Sequence, residues 1–132
     1  MRQAYKSLLL ALTLSATSFH ATKAQETHAV HFSAGTSSAT IHGTVKGDDY
    51  VDYQLAANAS QQMKVSLKPE SVYFNVMPPG SSGEAIFIGS QEGGAFSGTL
   101  SAAGTYTVRV YQMGAAASGG KSHKFTLDIG VR

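Results

Sequence analysis

The chain contains no cysteine. Disulfides are therefore excluded, along with thiolate nucleophiles and thiolate metal ligands. An exported protein built this way must depend on sheet packing, which favours a bacterial periplasm over a eukaryotic secreted fold. Sustained helical periodicity is also missing beyond residue 24, which argues against a helical bundle. No segment in that region is apolar enough to cross a bilayer as a helix. There is no basic patch with interleaved aromatics, so nucleic-acid binding has no support. Repeats, linkers and a second domain are absent as well.

What is there begins with an address. Arg2 and Lys6 give a positive start, and Leu8 to Ala16 supplies a short apolar run. Thr22-Lys23-Ala24 offers small residues before a cut after Ala24, with Ala21 as the alternative. Residues 1–24 are expected to be a secretory signal peptide and residues 25–132 a single domain. No cysteine stands near the cut, so a lipid-anchored form is not expected. Removing the signal lowers Lys plus Arg from 10 to 7, while Asp plus Glu stays at 8. The net charge falls from +2 to −1, and the basic character of the whole chain is misleading.

The rest reads as strand after strand. Gly104 to Met113 is the clearest: Tyr106, Val108 and Val110 alternate with Thr107, Arg109 and Tyr111. Similar alternation marks 38–46, 50–56, 62–68, 72–77, 95–100 and 122–131, with shorter candidates at 27–33 and 85–89. Gly, Pro, Asp and Asn clusters separate them, as at Gly47-Asp48-Asp49 and Pro78-Pro79-Gly80. Eight or nine short strands at even spacing predict an all-β fold: one antiparallel β-sandwich, jelly-roll-like.

Candidate chemistry is thin, and no enzyme is expected. His28, His31, His42 and His123 are expected to face solvent, and strand geometry puts His28 and His31 on opposite sides. Asp48, Asp49 and Asp52 form an acidic cluster, but Asp48-Asp49 also reads as an ordinary turn, and Asp52 is expected to be exposed on a strand. Gly43-x-x-x-Gly47 precedes no helix and is no phosphate cradle. No metal and no cofactor are expected. Surface recognition remains. Tyr50, Tyr73 and Tyr111 are placed on outward faces, and Arg109 and Met113 share a side with Tyr111. Tyrosine, arginine and methionine are enriched in interfaces. The competing reading is that this face merely packs, or that the aromatics are ordinary exposed ones.

Four stretches together carry a resemblance: 47–53 (GDDYVDY), 63–67 (MKVSL), 73–81 (YFNVMPPGS) and 104–113 (GTYTVRVYQM). The chain resembles the bacterial periplasmic inhibitors of i-type and g-type lysozymes over about residues 38–129. The resemblance implies a periplasmic β-sandwich, without catalysis of its own, that inserts a loop into a lysozyme's substrate cleft. The implied partner is a host or environmental lysozyme; a homodimer stays open. In such inhibitors a Ser-Gly-x-Tyr loop takes part in blocking. The matching positions here are Ala103, Gly104, Thr105 and Tyr106, with Ser101 the nearest hydroxyl. Relatives often carry arginines just after the methionine, where this chain has Gly114, Ala115, Ala116 and Ala117. The expected contacts are Ser101, Ala103, Gly104, Thr105, Tyr106, Tyr50, Tyr111 and Met113. The same stretches are similar to pre-peptidase C-terminal domains, in which the Gly-x-Tyr strand start is structural and Tyr106 would pack inward. A non-catalytic envelope module that binds glycan or protein is the alternative function.

Overall fold

The computed structural model describes residues 25–132. The signal peptide expected over residues 1–24 lies outside them. The described residues form β1 (Gln25–Ala29), β2 (Ser38–Lys46), β3 (Tyr50–Ala57), β4 (Gln62–Lys68), β5 (Tyr73–Met77), β6 (Phe87–Ile88), β7 (Ala95–Thr99), β8 (Gly104–Tyr111) and β9 (Ser122–Val131). Two one-turn helices interrupt them, α1 (Gly89–Glu92) and α2 (Gly114–Ser118).

The strands build two sheets, ordered β1-β3-β8-β5-β6 and β2-β9-β4-β7. Apart from the β5–β6 hairpin, every step along the chain changes sheet. The pairing is antiparallel except for β1, which runs parallel to β3. β2 lies between them in sequence but in the opposite sheet. Two sheet changes return the chain in its first direction, and a crossover of that kind is what a parallel pair requires.

Period-two alternation explains the core. β9 buries Phe125, Leu127, Ile129 and Val131, and β4 buries Met63, Val65 and Leu67. From the other sheet come Val51, Tyr53 and Leu55, then Phe74 and Val76, then Tyr106, Val108 and Val110. Each such side chain contributes about 1.5–3 kcal/mol by leaving water. Aromatics bridge the two sheets at the β6–β7 margin and one strand in from the other. Phe87 on β6 lies 5.0 Å from Phe74 and 5.4 Å from Phe96 on β7. Tyr53 on β3 meets Phe125 on β9 edge-on at 6.2 Å.

The strand expected over 85–89 shrinks to Phe87–Ile88. Gly89 is the reason. A Cβ there would lie 2.3 Å from the Phe74 carbonyl oxygen and 3.0 Å from its nitrogen. The backbone therefore presses onto β5 at that point and turns into α1. The Gly89 amide donates to Asn75 Oδ1 at 3.2 Å, and the Ile88 amide to Glu92 Oε2 at 2.7 Å. The segment after β8 that begins Gly114-Ala115-Ala116-Ala117 likewise contains a single helical turn, α2. Both pieces are far too short to show helical periodicity in sequence.

Gly89→Ala should therefore destabilise the fold by about 1–3 kcal/mol, since only backbone movement can relieve the overlap. A lower urea midpoint with an unchanged slope is the expected readout.

Candidate functional site

The expected contact residues fall into two groups at opposite ends of the sandwich. Ser101, Ala102 and Ala103 form the exposed β7–β8 turn. It is anchored on both sides. Leu100, 2% exposed, donates its amide to Gln61 O at 2.7 Å and accepts from the Ser60 amide at 2.8 Å. On the far side Tyr106 is 1% exposed, and its hydroxyl donates to Ala102 O at 2.7 Å. The Tyr106 ring is thus scaffold, and its hydroxyl ties the turn down from inside. Gly104 sits at φ +144°, where a Cβ would lie 2.8 Å from Pro79. A glycine is needed there both for the dihedral and for the approach of the 78–83 loop. Thr105 is exposed beside it.

The second group stands on the outer face of the five-stranded sheet. Cross-strand register places Gln25, Tyr50, Tyr111 and Tyr73 in one row, and Thr27, Asp52, Arg109 and Asn75 in the next. Arg109 Nε and Nη2 donate to the two Asp52 carboxylate oxygens at 2.8 and 2.9 Å. The guanidinium also lies 4.0 Å over the Tyr50 ring. Gln25 Nε2 donates to Asp52 Oδ2 at 3.1 Å, and Tyr50 Oη donates to Gln25 Oε1 at 3.0 Å. Tyr111 Oη donates to Asn75 Oδ1 at 2.8 Å, and the Tyr111 and Tyr73 rings lie 5.9 Å apart. Hydrogen bonding to Asp52 raises the Arg109 pKa above its usual value, against the opposing effect of partial burial.

Asp52 is thus corrected from the exposed acid the alternation predicts. It does sit on the outward face, yet it is 2% exposed beneath Arg109 and Gln25. Its charge is matched and adds nothing to an acidic patch. Met113 lies just beyond Tyr111 and is 51% exposed. Between them, Gln112 turns inward and is buried. Its Nε2 donates to Gly47 O at 3.2 Å and to Lys121 O at 2.9 Å, while His123 Nδ1 donates to its Oε1. Gln112 thereby pins the β2–β3 turn and the segment after α2 to the tyrosine end.

Thr105 and Tyr111 are six residues apart on β8, or about 20 Å of strand. Ser101, Ala103, Gly104 and Thr105 therefore gather at one end, and Tyr50, Tyr111 and Met113 at the other. Sequence reading overlooked Gln25, Asn75 and Gln112, although the tyrosine end depends on them. Only cross-strand register reveals these partners. His28 stacks on Tyr53 at 5.5 Å and His123 is half-buried, while His42 is exposed. Among the described residues no three His, Cys, Asp or Glu side chains are grouped to hold a metal ion. No helix among them is long and apolar enough to cross a membrane.

No protein-family model matches the chain. It is 32% identical to the Escherichia coli (strain K12) inhibitor of g-type lysozyme over 132 residues, covering 96% of this chain and 95% of that protein. The crystal structure of Aeromonas hydrophila PliG, a periplasmic lysozyme inhibitor of g-type lysozyme, superposes with a TM-score of 0.78 at 33% identity, covering 84% of this chain and all of the other. The pre-peptidase C-terminal domain of Bacillus anthracis collagenase shares the fold alone, with a TM-score of 0.53 and 13% identity over 86% of this chain.

Two variants test the internal anchors. Tyr106→Phe should lower stability by about 0.5–1.5 kcal/mol and speed amide exchange across 101–104, because the turn loses its tie to the core. Asp52→Ala should cost about 1.5–3 kcal/mol in denaturant unfolding, since Arg109 and Gln25 both lose their acceptor.

Proposed function

The chain belongs to the family of periplasmic inhibitors of g-type lysozyme, and we propose that it blocks a g-type lysozyme by seating the 101–105 turn in the substrate cleft. The observation that carries this reading is a turn that is exposed at Ser101, Ala102 and Ala103 yet tied to the scaffold on both sides. A turn already held in shape loses little conformational entropy on binding, and small side chains suit a narrow cleft. No catalytic group is required, because occupying the cleft excludes substrate.

A second contact arrangement is favoured by a different observation. Met113 is half exposed at the end that carries Tyr50, Tyr111 and Arg109. Aromatic, arginine and methionine side chains held rigid by internal hydrogen bonds are the usual anchors of protein interfaces. In this arrangement the tyrosine end meets the enzyme and the 101–105 turn stays free. The two ends lie about 20 Å apart along β8, so single substitutions at each can be read separately.

Lysis of cell walls by purified g-type lysozyme, with residues 25–132 added, is the test; i-type and c-type enzymes complete the comparison. Ala103→Arg should weaken inhibition about 30-fold or more if the turn fills the cleft, while Met113→Asp leaves it unchanged. The reverse pattern transfers the contact to the tyrosine end. A folded wild-type protein that slows no g-type enzyme at micromolar concentration overturns the inhibitor reading.

A further inference from the structure

The outer face of the four-stranded sheet carries positive charge that the fold does not use. Lys46 on β2, Lys124 on β9 and Lys64 and Lys68 on β4 all point out of this face and are exposed. Lys68 pairs with Thr126, two residues from Lys124; Lys124 pairs with Thr44, two residues from Lys46. The three lysines thus run diagonally across three strands, with neighbours about 7–8 Å apart. Among the described residues Lys64, Lys68 and Lys124 make no ion pair. All three side chains are exposed, so core packing supplies no reason for the line.

The surroundings are hydroxyl-rich. Thr44 on β2, Ser66 on β4 and Thr126 on β9 stand between the lysines on the same outward face, with Glu70 two residues beyond Lys68. Asp128, the carboxylate on these strands, accepts from Thr40 Oγ1 at 2.5 Å rather than from a lysine. The large exposed apolar side chains among the described residues, Ile86 and Met113, stand on other elements. The face therefore has nothing to insert into lipid tails. It offers point charges in a row and hydroxyls between them, which matches a polymer of hydroxyls and repeating acid groups.

We propose that this face docks a carboxylate-bearing glycan of the cell envelope, with Lys46, Lys124 and Lys68 meeting successive acid groups. The lysines stand on the opposite sheet from Tyr50 and Tyr111, although Lys46 borders the β2–β3 turn that Gln112 ties to that end; the contact would hold the protein on an acidic surface with the 101–105 turn free.

Immobilised polygalacturonate is the probe, with neutral dextran and phosphatidylglycerol vesicles as the other arms. Wild-type protein should bind the polyuronate at low salt, release it at high salt and ignore dextran. Lys46→Gln, Lys68→Gln and Lys124→Gln together should weaken binding about tenfold, and the same three positions changed to Arg should retain it. Thermal midpoints of both triple variants check folding, and unchanged inhibition by the Gln variant separates this face from the 101–105 turn. Three results would each overturn the proposal: no wild-type binding, equal binding by the Gln triple, or vesicles held as tightly as the polyuronate.

Discussion

The bidentate ion pair between Arg109 and Asp52 is the contact on which the outer face of the five-stranded sheet depends. It crosses from β8, the middle strand, to β3, and it joins residues that are direct cross-strand partners. A slip of one residue in either strand would turn its charge toward the core, where an unpaired ion is costly. The pair therefore specifies register as well as adding stability. It also organises its neighbours. Tyr50 lies under the guanidinium, and Gln25 bridges the carboxylate to the Tyr50 hydroxyl. Through Gln25 the first strand is tied to the sheet by side chains as well as by backbone.

The opposite end obeys the same logic with different chemistry. There a buried tyrosine holds a surface turn through one hydroxyl, and a glycine lets the neighbouring proline loop close over the strand start. Both ends present exposed groups whose supports are internal. Such preorganisation suits a protein that works by occupying space: ordering has been completed on folding, and binding has little left to immobilise. The absence of disulfides is compatible with this because the two-sheet core supplies the rigidity.

The architecture also keeps its surfaces apart. Because nearly every connection changes sheet, loops collect at the two ends while the outer sheet faces stay regular. One outer face carries the tyrosine and arginine network; the other carries lysines and hydroxyls. A chain with little net charge can in this way present a cationic face without becoming a basic protein overall.

Much of this was legible in the residues themselves. Alternation of apolar and polar side chains is a local property with a period of two, so strand positions and inward faces such as Val108, Val110, Leu127 and Ile129 follow from sequence alone. Tyr106 could be assigned inward for the same reason. The GDDYVDY and YFNVMPPGS stretches carried the family because they are contiguous. Tertiary structure decided what pairs with what. Whether Asp52 is a free surface acid or a buried counterion depends on which strand lies beside β3. The same register sets Asn75 under Tyr111 and aligns three lysines from three strands. These are contacts between residues tens of positions apart, and no local period encodes them. Sequence determined which side of each strand faces water; only the assembled sheets decided which outward side chains water reaches.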